Sequence, residues 1–320
     1  MTSWNIRMNG TNASSTAQET EIDTLYFTVK AIICVITVLG NALVIFLIIK
    51  SRRLRVLPNT FIVTLAIADM LVGAIITPTE LACKYWNGHC DILLQRLTYD
   101  ILYHLSATNL CALTLDRFIA TVRPLKYPFI MTLEKVVMIE LIAWISAGVT
   151  SFTSYTLIIH GLSYEGIQIL DLVIFQILPS ILLVIIYIRM TYVVTKLNKN
   201  QIQQINQISF NYGRTVSRGA KTSLTVKMTG VIIIVFISCY ILAVGRRLYF
   251  LFTRKNIPYP VVRKMSRTLL NVNSAVNVFV YGLMKGDFKK ELKRNLKCLY
   301  FYSNNNSNSF CEEHMEMRRL

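Results

Sequence analysis

The sequence predicts an all-α membrane protein, a seven-transmembrane helix bundle with a short amphipathic helix after the seventh span. Three observations carry that expectation. The chain of 320 residues is 53% hydrophobic with a mean hydropathy of +0.47, too apolar for a soluble domain of its size and too long for a single span. Its apolar residues fall into seven runs of about 20 residues, the length that crosses a bilayer, near 26–49, 59–82, 93–122, 136–159, 168–195, 225–252 and 266–284. The third and sixth runs have the least sharp ends, because Arg96, Asp100, Arg246 and Arg247 intrude there. Lysine and arginine of the connections collect on one side, at 50–55, 123–135, 189–227 and 285–297, which marks that side as cytoplasmic and the amino terminus as extracellular. The net charge of +17 is largely that of these inner segments, whose natural partners are anionic membrane lipids and acidic surfaces of cytoplasmic proteins rather than nucleic acid.

Taken in order, residues 1–24 form a polar segment expected to be a flexible extracellular tail, with sequons at Asn9 and Asn12 open to glycosylation. No cleavable leader is apparent before the first span, so that span is expected to direct insertion. Residues 25–284 form the membrane domain. Gly40-Asn41 in the first span permits close packing and a bond to a neighbour. In the second span Asp69 has apolar neighbours on both sides. A carboxyl at that depth must face the interior and be protonated, hydrated or paired. Pro78 should kink the outer end of this span. Beyond it Cys83 and Cys90 face the oxidising side, where they either pair with each other or stay as thiols.

The third span ends in Leu115-Asp116-Arg117-Phe118-Ile119-Ala120, followed by Arg123-Pro124-Leu125-Lys126-Tyr127, an acid and an arginine where a span meets water. Trp144 lies in the fourth span; Pro179 and Tyr187, eight residues apart, lie in the fifth. The sixth reads Phe236-Ile237-Ser238-Cys239-Tyr240-Ile241-Leu242, where Gly230 and Gly245 can soften the helix. The seventh carries Asn271, Asn273, Ser274, Asn277 and Tyr281, amides that need partners if buried. Residues 285–298 place apolar side chains at 288, 292 and 296 among basic ones, an amphipathic helix for the inner leaflet; Cys298 is a candidate for palmitoylation, and 299–320 form a polar cytoplasmic tail.

The Asp116-Arg117 stretch closely resembles the end of the third helix in rhodopsin-like (class A) G-protein-coupled receptors, with Phe118 for the usual tyrosine. Gly40-Asn41, Leu65 to Asp69, Trp144, the Pro179–Tyr187 pair, Phe236 to Leu242 and Asn277-Val278-x-x-Tyr281 resemble the other helix signatures, so the likeness runs from Tyr26 to Cys298. Three departures stand out: Tyr240 replaces tryptophan, and Leu242 and Val278 replace prolines. The acid that restrains the arginine in many relatives is absent, with Thr222 nearest to its place. The disulfide that relatives make to the second outer loop is also missing, because residues 160–171 contain no cysteine.

The resemblance implies a receptor at the plasma membrane that couples an extracellular ligand to a heterotrimeric G protein through Arg117, with Tyr187 and Tyr281 supporting it and Tyr240 and Asn277 in the switch. It implies a sodium ion held by Asp69 with Ser106, Asn273, Ser274 and Asn277 as the single candidate ion, and no other cofactor. Amine-binding relatives carry an aspartate eighteen residues before the arginine. Here that position is Tyr99, with Asp100 beside it, and Asn271 stands where opsins have their retinal lysine.

No nucleophile–base pair, paired carboxylates or metal-ligand spacing is visible, and His89, His104, His160 and His314 look scattered, so an enzyme is not expected. Seven unlike spans also argue against a transporter built from repeats. Between 246 and 267 lie Arg246, Arg247, Arg254, Lys255, Arg263, Lys264 and Arg267 without one acid, on the side where positive charge is unusual. That cluster points to an acidic ligand, a peptide, lipid or small anion, held by Arg267 with Arg96 or Arg247 in a pocket shared by Tyr99, Asp100, Tyr103, Tyr240 and Asn271. Equally open are pairing of the cluster with lipid headgroups or with the acids of 19–23, and a cationic ligand for Glu80 and Asp100.

Overall fold

The computed structural model describes residues 3–85, 90–161, 164–205, 212–253, 255 and 259–303, and among them no strand occurs. α1 (Ser3–Lys50) runs unbroken, so the segment expected to be a flexible tail is helical from Ser3. Lacking proline, that segment offers nothing that would stop the helix of the first span from growing backwards. Asn9, Asn12, Thr222, His89, His314 and Cys298 lie among residues whose side chains are outside the described set.

The second long helix consists of α2 (Thr60–Leu71), a π turn at Val72–Ile76 and α3 (Thr77–Tyr85). The expected effect of Pro78 appears as that π turn: its ring would meet the carbonyl of Ala74 four residues back, and the wider turn relieves the contact. The fifth span repeats the device, with α7 (Tyr164–Leu172), a π turn at Val173–Ile177 and α8 (Leu178–Ile205) around Pro179. Between these two come α4 (Ile92–Val122), the single turn α5 (Tyr127–Ile130) and α6 (Leu133–Ile159). Asp91 caps α4, accepting from the amides of Leu93 and Leu94 at 2.8 and 3.1 Å. Cys83 and Cys90 are disulfide-bonded and tie the end of α3 to this cap.

α9 (Tyr212–Thr253) is one continuous helix through the sixth span. It is followed by α10 (Pro260–Met284) and α11 (Gly286–Ser303). Phe288 of α11 is fully buried and joins the main core, which is how this helix is held against the end of the bundle.

Among the described residues five helices, Thr20–Lys50, Leu57–Tyr85, Leu133–Ile159, Gly166–Asn200 and Ser223–Thr253, are long and apolar enough by themselves to cross a membrane. The other two spans, α4 and α10, carry the most polar interiors. Ser106, Asn109 and Asp116 are buried on α4, and Asn271, Asn273, Ser274 and Asn277 on α10. The helices close a ring in which α1 meets α2 and α10, α10 meets α9, and α9 meets α8, while α4 touches α2, α6, α8 and α9. α4 is the axis on which the polar residues converge.

Gly40 and Gly230 are among the glycines that set interhelical distances. A Cβ on Gly40 would lie 2.8 Å from Cγ1 of Val278, and one on Gly230 would lie 2.6 Å from the Tyr187 hydroxyl. Gly230 is therefore a packing site for the fifth span rather than a soft point in the sixth. Gly40→Val should lower the thermal stability of detergent-purified protein by about 1–3 kcal/mol, the usual cost of overpacking. Gly245→Val, where nothing lies within 4 Å, should not show that loss, and equal melting shifts for the two would contradict the packing role.

Candidate ligand pocket and polar switch

Three polar centres lie along α4. The first is at the Arg117 end. Asp116 is fully buried and its Oδ1 accepts from the Tyr127 hydroxyl at 2.6 Å, so the single turn α5 is held onto α4. Burial, then Asp116, push the Tyr127 phenol upward. Arg117 lies 3.7 Å from Asp116 and donates to the Pro58 carbonyl at 3.0 Å. Lys285, just beyond α10, donates to Asn59 Oδ1 at 2.5 Å, so both cations brace the same turn. Burial first, and the Arg117 charge second, lower the Lys285 ammonium to about 7.

Arg117, Tyr281 and Lys285 line a cavity of about 320 Å³ whose far wall is Leu224, Thr225 and Met228 of α9. Arg117 and Tyr281 are brought together as expected, and the buried Tyr281 hydroxyl has no protein partner. Tyr187 lies outside the lining of this cavity. It packs over Gly230, whose missing side chain leaves room for the ring.

The second centre is Asp69, fully buried in α2. Ser106 donates to its Oδ1 at 2.6 Å and Asn277 to its Oδ2 at 2.8 Å, tying α2, α4 and α10 together. Asn41 donates to the Thr37 and Ser274 carbonyls at 2.9 and 3.4 Å. The buried Ser274 hydroxyl and Asn41 Oδ1 have no protein partner. Asn273 is buried on the same helix. One carboxylate, two hydroxyls and unpartnered oxygens suit a hard monovalent cation, so the donor set fits the expected sodium ion.

The third centre lies at the disulfide end, where the basic cluster is answered by acids from other helices. Glu80, buried on α3, meets Lys30 of α1, accepts from the Tyr26 hydroxyl at 3.0 Å and lies 3.2 Å from Arg267 of α10. Lys264 meets Asp23, which Lys84 also holds at 2.6 Å, so the alternative of pairing with the acids of 19–23 applies to this lysine. Arg247 of α9 bonds Asp171 and stands 3.8 Å from Asp100, which Arg96 approaches at 3.4 Å. Tyr103 donates to Asn271 Oδ1 at 2.7 Å, and the Arg267 guanidinium sits 5.4 Å from the centre of the Tyr99 ring. Tyr240 stacks on Phe236 beneath them.

A cavity of about 490 Å³ opens here, lined by Arg96, Tyr99, Asp100, Tyr103, Arg247 and Arg267 among others. Six of the eight residues expected in a ligand site thus share one wall. Tyr240 and Asn271 lie next to it, through Tyr103.

Sequence reasoning missed Lys30, His104 and Asp171. Lys30 reads as an interruption in an apolar run, and its acid partner lies fifty residues on. His104 is not isolated: it falls one turn after Asp100 on α4, a spacing visible in the sequence, while Asp171 reaches it only through the fold.

The Glu80 cluster gives a stability test. Removing one partner of a buried ion pair costs about 3–5 kcal/mol, because the other charge is left uncompensated. Glu80→Gln should reduce the yield of folded protein severely. Adding Lys30→Met should recover a substantial part, and failure of the double variant to improve on the single would contradict the pairing.

Residues 40–281 match the family described as 7 transmembrane receptor (rhodopsin family). The chain is similar to the histamine H2 receptor of Homo sapiens, 27% identical over 97% of this chain and 90% of that protein. It is also similar to the alpha-2B adrenergic receptor of Rattus norvegicus, 38% identical over 36% of this chain and 26% of that protein. The octopamine receptor beta-2R of Chilo suppressalis is 34% identical over 39% of this chain and 32% of its own length.

Proposed function

The chain belongs to the rhodopsin family of seven-transmembrane receptors, and from that premise we propose that it carries the binding of an extracellular ligand to heterotrimeric G proteins. It is a receptor of the membrane, not an enzyme. The disulfide end faces outward at the plasma membrane, with Asn9 and Asn12 available for glycosylation. The Arg117 end faces the cytoplasm, with α11 on the inner leaflet and Cys298 available for palmitoylation.

The cytoplasmic reading rests on the cavity lined by Arg117, Tyr281 and Lys285. An agonist favours a state in which the inner ends of α8 and α9 move away from α4, and Arg117 exchanges its bond to the Pro58 carbonyl for contacts with the G protein. Ligand and G protein then strengthen each other's binding by the same factor. Asp69 with Ser106, Ser274, Asn273 and Asn277 would hold a sodium ion, which supplies charge neutralisation in the inactive state.

The ligand reading rests on one observation: Arg96, Arg246, Arg247 and Arg267 line the outer cavity against Asp100 as its sole acid among the described lining residues. That balance favours a ligand with a carboxylate or another anionic group, held by charge-assisted bonds. Because Arg267 is already paired with Glu80 and Arg247 with Asp171, the ligand competes with these acids. A second reading, a cationic amine, is supported by the names of the relatives and by the two carboxylates of Asp100 and Asp171, between which Arg247 now sits.

Basal G-protein activation across the main Gα classes should fall about tenfold in Arg117→Ala at matched surface expression, within the usual range of coupling energies. A wild type that stays silent with a confirmed binding ligand would mean a receptor-like protein that does not signal. In a ligand screen, Arg267→Gln should weaken an acidic agonist far more than it lowers expression. Loss of an amine response in Asp100→Asn with Arg267→Gln unaffected would instead establish the second reading. Asp69→Asn should abolish the sodium dependence of agonist affinity, and an unchanged sodium response would remove the ion site.

A further inference from the structure

We propose that Asp100, His104 and Asp171 form a divalent metal site, of a donor set suited to zinc, on the wall of the outer cavity. Asp100 and His104 lie one turn apart on α4 and so present their side chains on one face. Asp171, near the end of α7, reaches the same point from the fifth span, which packs beside α4. One ligand atom from each of the three lies within 4.8 Å of the others, and His104 Nε2 is 2.9 Å from Asp171 Oδ1. In a tetrahedral zinc site with bonds of about 2.0–2.2 Å, ligand atoms stand roughly 3.4 Å apart, so shifts of about 1 Å or less complete the set. Imidazole and carboxylate are ligands that zinc accepts readily.

The imidazole is held in the orientation a metal needs. Its Nδ1 is 3.0 Å from the Ser151 hydroxyl, and its ring is stacked on Phe175 at 3.8 Å. Ser151 can accept a proton from Nδ1 as readily as donate one, so the ring can turn its Nε2 lone pair towards Asp171. A fixed partner on the second nitrogen is what orients histidine ligands. A cation already lies at the junction, the Arg247 guanidinium, bonded to Asp171 and 3.8 Å from Asp100. A metal ion takes that place with a higher charge and shorter bonds, and leaves a fourth coordination position toward the cavity that Asp100 lines.

Displaced, Arg247 turns to the cavity, which it also lines, and adds its charge there. The site is thus a two-state exchange between an internal cation and an external one. It does not depend on which ligand or G protein the receptor uses, because its ligands are defined without reference to either.

The test is a thermal unfolding titration of detergent-purified full chain with zinc chloride, reversed with EDTA. The wild type should gain melting temperature with a saturable midpoint. Arg247→Gln, freed of the competing cation, should reach its midpoint at zinc concentrations on the order of tenfold lower, and His104→Ala should lose the saturable response. A purely structural triad would lower the melting temperature of these variants without moving the zinc midpoint. No shift in the wild type at millimolar zinc overturns the site, as does a common midpoint for wild type and Arg247→Gln. If His104→Ala does not fold, the Arg247→Gln comparison decides alone.

Discussion

A bundle in lipid has no water to solvate the charges it carries inward, so each must be met from another helix. Asp69 shows the rule at its simplest: a single carboxylate in α2 accepts from Ser106 of α4 and Asn277 of α10, and the three helices are thereby fixed in register. The same demand produces the Glu80 cluster between α1, α3 and α10, and the Arg247–Asp171 contact between α9 and α7. The ring of helices is closed by apolar packing, but it is indexed by these polar contacts, which tolerate far less sliding than leucine against leucine.

This indexing also divides the molecule by task. At one end Arg117, Lys285 and Tyr127 are anchored to a turn and a short helix, parts that can be displaced without opening the core. At the other end the cations are anchored to acids that a ligand would have to rival. Both ends therefore hold charges in pairs whose partners can be exchanged, and the buried Asp69 network lies between them. A change in which partner each of these cations prefers can therefore occur at either end while the Asp69 network between them stays paired.

Much of this was legible in the chain itself. The seven runs, the Asp116-Arg117 ending, the inward Asp69 and the amphipathic stretch after Met284 are local patterns, written in residues within a few turns of one another. What was not legible is long-range. The stretch from Arg246 to Arg267 has no acid of its own, yet Glu80, Asp23, Asp100 and Asp171 come to it from four other helices. The pairing of Cys83 with Cys90 depended on a turn geometry that seven residues of sequence leave open. His104 looked solitary because two of its contacts, Ser151 and Asp171, lie 47 and 67 positions away. Where the Tyr187 ring sits depends on the absent side chain at Gly230, a contact between two spans that its spacing from Pro179 does not reveal.

The two π turns have a geometric consequence. Each inserts about one residue beyond regular α-helical winding, which turns everything past it by about 100° relative to an unbroken helix. In the second span that rotation sets the heading of Glu80, and in the fifth that of Asp171, while the halves carrying Asp69 and Tyr187 keep their own phase. Each of these helices is in effect two rotors on one shaft. Deleting a single residue within Val173–Ile177 would rewind the shaft and swing Asp171 off the junction it shares with His104 and Arg247, leaving the opposite half unchanged. Helical-wheel comparisons between receptors of this kind therefore hold only within a rotor, and the ends near the disulfide are free to diverge in phase from the ends near Arg117.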